Sequence, residues 1–215
     1  LATVDRFVEC QIDHEHMIVT HNGHVCRVVP YPISIEWPPR WLATQSAVPI
    51  AREAVRLQYG IGLEVRLGIG VERWDFTKGI VERFLALERL FDQHPQWRGR
   101  MTLLQVAAPT RSRLPAYQAL QQHTLAEAQR INEKFGKHGW RPIVLVGEHQ
   151  EPAQGDDHYR AADFCVVNSL HDGMNLVAKE FVSARDDEDG VPILSTLAGA
   201  SREPPEALPV NPLAV

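Results

Sequence analysis

Three things are scarce in this chain: surplus positive charge, long apolar runs and paired cysteines. Lys and Arg number 22 against 27 Asp and Glu, for a formal net charge of −5. That balance argues against a broad nucleic-acid surface, which needs a cationic excess to displace counterions, but leaves room for a local phosphate pocket. No stretch approaches the roughly 18 uninterrupted apolar residues of a membrane span, so no membrane partner is expected. The opening Leu1-Ala2-Thr3-Val4-Asp5-Arg6 lacks the basic region and apolar run of a secretory leader. It also lacks an initiator Met, which reads as a fragment. Cys10, Cys26 and Cys165 are odd in number and form no CxxC pair, as expected of unpaired thiols in a reducing cytoplasm. What is present is 44% apolar against 23% charged residues over 215 positions. That is enough for one domain with a real core plus part of another, and it argues against global disorder.

Residues 7–35 read as extended, with β-branched runs broken at His21-Asn22-Gly23-His24, a hairpin signal. Pro30-Tyr31-Pro32 and Trp37-Pro38-Pro39-Arg40 cannot continue a helix or inner strand, and a domain junction is expected there, followed by a helix over 50–59. From Glu64 onward strands and helices alternate. Strands are expected over 65–71, 101–106, 143–146, 164–167 and 191–194. Helices are expected from Ile80 to a stop before Pro95, where Ile80, Phe84, Leu87 and Phe91 recur at helical spacing, and over 115–135, 158–162 and 176–185. This alternation predicts an α/β fold, a Rossmann-like parallel sheet with helices on both faces. In such sheets ligands bind beyond the carboxyl ends of the strands, so the loops there deserve the closest reading.

Two loops hold unusual chemistry. The first, residues 70–80, leaves a strand and enters a helix, with Thr77 available as a cap. Arg73 and Lys78 stand at its two ends and can converge on one anion, aided by the helix N-terminus. The bland alternative is a surface loop with two solvated cations. Gly68-x-Gly70-x-x-Arg73 starts like a dinucleotide fingerprint but lacks the third Gly, which discounts a dehydrogenase. The second loop, residues 171–181, puts Asp172 and Gly173 on a strand-to-helix turn and Glu180 about one helical turn onward. Its N–H groups can face a phosphate or hydroxyl, Asp172 can grip sugar hydroxyls, and Glu180 can accept from ribose hydroxyls. The bland alternatives are Asp172 as a helix cap and Glu180 as an i,i+4 partner. His14 and His16 are read as sharing a strand face near His21 and His24, which makes a metal site conceivable, but polar residues at hairpin ends are common and the pattern is too weak to carry one.

Val71-Glu72-Arg73-Trp74-Asp75-Phe76-Thr77-Lys78-Gly79-Ile80 resembles the VERxDYTKGI signature of trehalose-6-phosphate synthases and their relatives. His171-Asp172-Gly173-Met174-Asn175-Leu176-Val177-Ala178-Lys179-Glu180-Phe181 resembles their RDGMNLVAKEF signature. Pro32-Ile33-Ser34-Ile35, Arg130-Ile131-Asn132, Tyr159-Arg160-Ala161-Ala162-Asp163 and Leu197-Ala198-Gly199-Ala200 match in order, so the likeness covers nearly the whole chain. It implies a retaining hexosyltransferase of two Rossmann-like domains, with the active site between them and no metal or other cofactor. Residues 1–48 would then be the tail of the acceptor domain and a linker, and 49–215 the nucleotide-sugar-binding domain. By position, Arg73 and Lys78 bind the diphosphate, and Asp172 binds glucose together with backbone groups of Gly173, Met174 and Asn175. Leu176 and Val177 offer N–H groups to the phosphates, Glu180 binds ribose, His149 lies near the base, and Arg111 reaches the acceptor's phosphate. The implied partners are ADP- or UDP-glucose and a phosphorylated acceptor; a homo-oligomer is compatible with the full-length enzymes.

Departures from the family pattern carry further expectations. Trp74-Asp75-Phe76 in place of Leu-Asp-Tyr, His171 in place of Arg, and Ser183-Ala184-Arg185-Asp186-Asp187-Glu188 lean toward glucosylglycerol-phosphate synthases, which use glycerol 3-phosphate and typically ADP-glucose rather than glucose 6-phosphate. Most acceptor contacts belong to a domain of which only the tail is present, so the chain alone is expected to be inactive; the competing reading is a non-catalytic binding module. Pro192, Pro204, Pro205 and Pro209 stand where apolar residues are usual. Each threatens a ladder bond or a helix, which predicts a weakened fold.

Overall fold

The computed structural model describes residues 1–29, 31–39, 43, 45–147, 152–204 and 206–214. Its contacts divide the chain into two units, Leu1–Ile33 and Ser34–Val215. This division falls ahead of the boundary drawn after residue 48. Ser34 accepts a hydrogen bond from Lys179 at 3.1 Å, which ties it to the second unit.

The first unit holds α1 (Ala2–Phe7) and an antiparallel sheet of β1 (Gln11–Asp13), β2 (Ile18–His21) and β3 (His24–Arg27). The hairpin falls on the expected Asn-Gly, with φ of 49° at Asn22 and 78° at Gly23, the positive pair that a twist-matched two-residue turn requires. Two expectations are corrected. Phe7 ends a helix instead of beginning an extended run. His14 and His16 lie in the turn between β1 and β2, not on a strand face. Asp13 makes that turn: its Oδ1 accepts the N–H groups of Glu15 and His16, each at 3.0 Å, and its Oδ2 lies 2.7 Å from His16 Nδ1.

The second unit alternates α2 (Val48–Tyr59), β4 (Arg66–Arg73), α3 (Ile80–Gln93), β5 (Met101–Ala108), α4 (Pro115–Phe135), β6 (Ile143–Val146), α5 (Pro152–Ala161), β7 (Phe164–Val167), α6 (Leu176–Ala184), β8 (Val191–Ser195) and β9 (Leu208–Val210). Breakers set the boundaries. Pro49 sits in the first turn of α2, where its missing N–H costs no helix bond, and Gly60, at φ 65°, closes the helix by donating to Arg56 and Leu57 carbonyls. The sheet order is β6-β5-β4-β7-β8-β9, every pair parallel. The chain therefore winds outward from β4 in one direction, then returns beside β4 at β7 and winds outward in the other. The crevice of such a sheet lies between those two strands.

Phe84, Leu87 and Phe91 of α3 pack with Ile131 and Phe135 of α4 on Leu103 and Ile143. Val55 of α2, Tyr159 of α5 and Phe181 of α6 share the other core with Leu67, Ile69, Cys165 and Leu194. Both glycines of the partial fingerprint serve this packing. A Cβ at Gly68 would overlap the Phe164 ring, and one at Gly70 would overlap the Arg83 guanidinium. At the amino rim of the sheet Asp163 gathers Arg52, Arg56 and Arg66 and accepts the Leu67 N–H at 2.7 Å, so the cations there are tied to the scaffold. No helix among the described residues is long and apolar enough to cross a membrane.

Two of the four prolines sit where no ladder bond is lost. Val191 donates toward β7, to Asp163 O at 3.1 Å, and Thr196 donates toward β9, to Val210 O at 2.9 Å. Successive residues of a strand point to opposite sides. The nitrogen of Pro192 thus faces the β9 side, one residue before that ladder begins at Ile193↔Leu208. The same alternation turns the Pro209 nitrogen away from β8. Pro204 follows a short 3-10 turn, Gly199–Arg202, and interrupts no helix; Pro205 lies outside the described residues.

Candidate functional site

The loops after β4 and β7 flank the crevice, and side chains join them. Arg73 ends β4, exposed, and its side chain makes no hydrogen bond or ion pair among the described residues. Asp75 then caps the 3-10 turn Phe76–Lys78: its Oδ1 accepts the Thr77 N–H at 3.1 Å and the Thr77 hydroxyl at 3.0 Å. Asp75, not Thr77, is thus the cap, because a carboxylate two residues upstream can meet the free donors of the turn while Thr77 lies inside it. Gly79 follows at φ 66° and opens α3.

Lys78 Nζ reaches across to Asp172 Oδ2 at 2.6 Å, both side chains 16% exposed. The Leu170 N–H donates to Thr77 O at 2.8 Å. Asp172 also accepts from Asn175 Nδ2 at 3.0 Å and from the Ser169 hydroxyl at 3.3 Å. Burial works to raise its carboxyl, but Lys78, Asn175 and Ser169 outweigh it and hold the pKa below the usual carboxylate value. Asp172 is therefore anionic and engaged with Lys78 rather than serving as a cap; the residue preceding α6 is Asn175, at φ 75°. The segment after β8 braces the turn, with Gly199 N–H donating to Asp172 O at 3.2 Å and Ala200 N–H to Met174 O at 2.8 Å.

Gly173 is exposed and Met174 half-buried. Leu176 and Val177 open α6, where first-turn N–H groups have no intrahelical partner and the dipole favours anions. Glu180, one turn on, accepts from the Tyr159 hydroxyl at 3.0 Å instead of pairing along its own helix. Arg111 stands after β5 on the same rim, at φ 46°. Its guanidinium lies 5.4 Å from the Tyr117 ring centroid and donates to the Tyr117 hydroxyl. Tyr117 meets Phe76 edge-on at 5.3 Å, which links this loop to the first. The position expected for His149 lies outside the described residues. Lys78 and the Asp172–Val177 turn are thus brought into direct contact, Arg73 and Arg111 share their rim, and Glu180 sits deeper along α6.

Beneath the site is a buried network that motif reading passed over. Arg83, 4% exposed, forks onto Glu72, Nη1 to Oε2 at 3.0 Å and Nη2 to Oε1 at 2.6 Å. It also donates to Gln105 Oε1 at 2.6 Å and, through Nε, to Asn168 Oδ1 at 2.7 Å. Asn168 Nδ2 in turn donates to Gly79 O at 2.7 Å. Four elements (β4, α3, β5 and the end of β7) are thereby fixed around the turn that carries Lys78. A signal was available: Glu72 follows directly on the apolar run 67–71 within its strand, and Arg83 interrupts the apolar stripe of the following helix. Trp74 is also buried, its ring against Gly147, so this departure from the usual Leu fills core space.

Comparison with known proteins places these features in a family. The chain is 42% identical over 183 residues to a trehalose-6-phosphate synthase of Salmonella arizonae, covering 85% of this chain and 38% of that protein. It is 40% identical over 194 residues to that of Escherichia coli O1:K1 / APEC, covering 90% and 40%. It thus spans about two-fifths of the length of these curated relatives. Among solved structures, one from E. coli bound with UDP-2-fluoro glucose superposes with a TM-score of 0.83 at 35% identity, covering 97% of this chain and 46% of that one. An alpha,alpha-trehalose-phosphate synthase (UDP-forming) from Burkholderia xenovorans in complex with glucose-6-phosphate gives 0.81 at 34%, covering 92% and 43%. Residues 1–215 match glycosyltransferase family 20 throughout, and the chain belongs to that family.

Proposed function

We propose that this chain forms the nucleotide-sugar-binding part of a retaining glucosyltransferase that moves glucose from a nucleotide-glucose to a phosphorylated acceptor. The observation that carries the reading is the 2.6 Å contact of Lys78 with Asp172, which joins a diphosphate-binding loop to a sugar-binding turn at the crevice. In the reaction the bond from the anomeric carbon to the diphosphate oxygen breaks and a bond to the acceptor hydroxyl forms. The hydroxyl proton is released, and a nucleoside diphosphate departs. Arg73, Lys78 and the first N–H groups of α6 neutralise the charge that grows on the leaving diphosphate, the work a divalent cation does in metal-dependent transferases. Asp172 accepts from glucose hydroxyls, Glu180 from the ribose, and Arg111 meets the acceptor's phosphate.

UDP-glucose and glucose 6-phosphate are the substrates we favour, because the UDP-forming relatives and the glucose-6-phosphate complex are similar over nearly the whole of this chain. With Trp74 committed to packing on Gly147, the case for glycerol 3-phosphate and ADP-glucose is left to Phe76, His171 and the stretch 183–188. Calorimetric titration of the 215-residue chain with UDP-glucose and ADP-glucose tests the reading directly. Binding is expected, and Lys78→Ala should weaken it by roughly ten- to a hundredfold, the worth of a hydrogen bond to a charged group. Binding of neither nucleotide sugar overturns the proposal. With most acceptor contacts expected from the other domain, the chain by itself should bind donor without turnover; steady glucosyl transfer by it in a coupled assay would refute that half.

A further inference from the structure

Glu180 is aimed from beneath. Tyr159, on α5, is 3% exposed, and its hydroxyl donates to Glu180 Oε2 at 3.0 Å. Its ring lies edge-on to Phe181, centroids 6.4 Å apart at 78°, within the core that α5 and α6 share with Cys165 and Leu194. The phenol cannot swing away without unpacking that core. Burial, with the nearby Glu180 charge adding to it, pushes the Tyr159 pKa well up, so the hydroxyl keeps its proton and remains a donor. Glu180 Oε1, by contrast, makes no hydrogen bond among the described residues. A glutamate on a helix surface samples several rotamers, and ordering it costs entropy when a ligand arrives. One whose far oxygen is already tied to a fixed donor has met that cost in the folded state.

We propose that Tyr159 is a positioning residue for the nucleotide's sugar: by holding Glu180 Oε2 it leaves Oε1 set to accept from the 2′- and 3′-hydroxyls of the donor's ribose. The inference rests on the donor-binding reading above and adds to it a residue that never touches the nucleotide. It also explains why a tyrosine is buried with its hydroxyl turned toward a carboxylate rather than toward a neutral acceptor.

The test compares uridine diphosphate with its 2′,3′-dideoxy counterpart, titrated calorimetrically into the 215-residue chain and into Tyr159→Phe. The parent chain should prefer the ribonucleotide. Tyr159→Phe should lose about tenfold in affinity for it while binding the dideoxy compound unchanged. A variant that merely loosened the fold would weaken both ligands alike, so equal losses overturn the inference. A variant that keeps the parent's ribose preference also overturns it and leaves the donor reading standing. If the parent binds neither compound, or both equally, Glu180 does not read ribose and the underlying assignment falls first. Should the variant fail to fold, a crystal structure of the parent with uridine diphosphate decides. Tyr159 Oη on one Glu180 oxygen with ribose on the other supports the proposal; ribose on both, with Tyr159 detached, overturns it.

Discussion

Arg83→Leu melts roughly 6–20 °C below the parent chain. The estimate follows from a loss of about 3–5 kcal/mol when one partner of a buried ion pair is removed, spread over a domain in which each kcal/mol shifts the midpoint by about 2–4 °C. Arg83 is enclosed by Glu72, Gln105 and Asn168, and leucine would leave a buried carboxylate facing an amide, with no water to replace the lost donors. The cavity is also polar in shape: Gly70 is bare so that the guanidinium can lie against the strand. Thermal unfolding followed by circular dichroism checks this. A midpoint within about 2 °C of the parent, under about 1 kcal/mol, would show that the pair contributes little beyond what leucine packing returns.

The second large effect is expected at Gly79. Alanine there pays a left-handed backbone penalty of about 1–2 kcal/mol. Its Cβ would also stand 2.6 Å from the carbonyl oxygen of Asn168. That oxygen belongs to the backbone at the end of β7, so the turn has to move, and Lys78, one residue before it, moves off Asp172. Nucleotide affinity should fall by at least about tenfold, as when a charged hydrogen bond is lost. Gly23→Ala is the control: φ is 78° there too, but no atom lies within 4 Å of the added Cβ, so its nucleotide affinity should match the parent's. Calorimetric titration of both variants decides, and undiminished binding by Gly79→Ala would remove the turn's geometry from the account of the site.

The alternation of strands and helices, and with it a parallel sheet, was legible from the chain because buried strands and amphipathic helices have different periods, and Ile80, Phe84, Leu87 and Phe91 declare theirs openly; the order of the strands was not. The two loops were legible because backbone geometry and charge leave dense signatures there: Gly79 at φ 66° between Lys78 and a helix start, and Asp172-Gly173 before another. Other features were hidden for identifiable reasons. β9 escaped notice because Pro209 reads as a breaker, and only the pairing with β8 shows that its nitrogen is not needed. The same blindness made Pro192 look damaging. Asp75 displaced Thr77 as cap because a cap is defined by which donors are free, and that depends on where the 3-10 turn begins. The Arg83–Glu72 pair spans 11 residues and its amide partners Gln105 and Asn168 lie farther still, beyond any local pattern. Tyr159 appeared within a matched string but with no role, since its partner Glu180 is 21 residues away.

The placement of Pro209 has a bearing on solubility. A sheet ends in a strand whose outward amides and carbonyls invite a further strand, from a neighbouring molecule as readily as from the same one. Among the described residues the outermost strand of one flank is three residues long and carries at its centre a ring where the inviting amide would be. A foreign strand laid alongside finds no donor at that point, which weakens the pull toward accretion of copies along this flank.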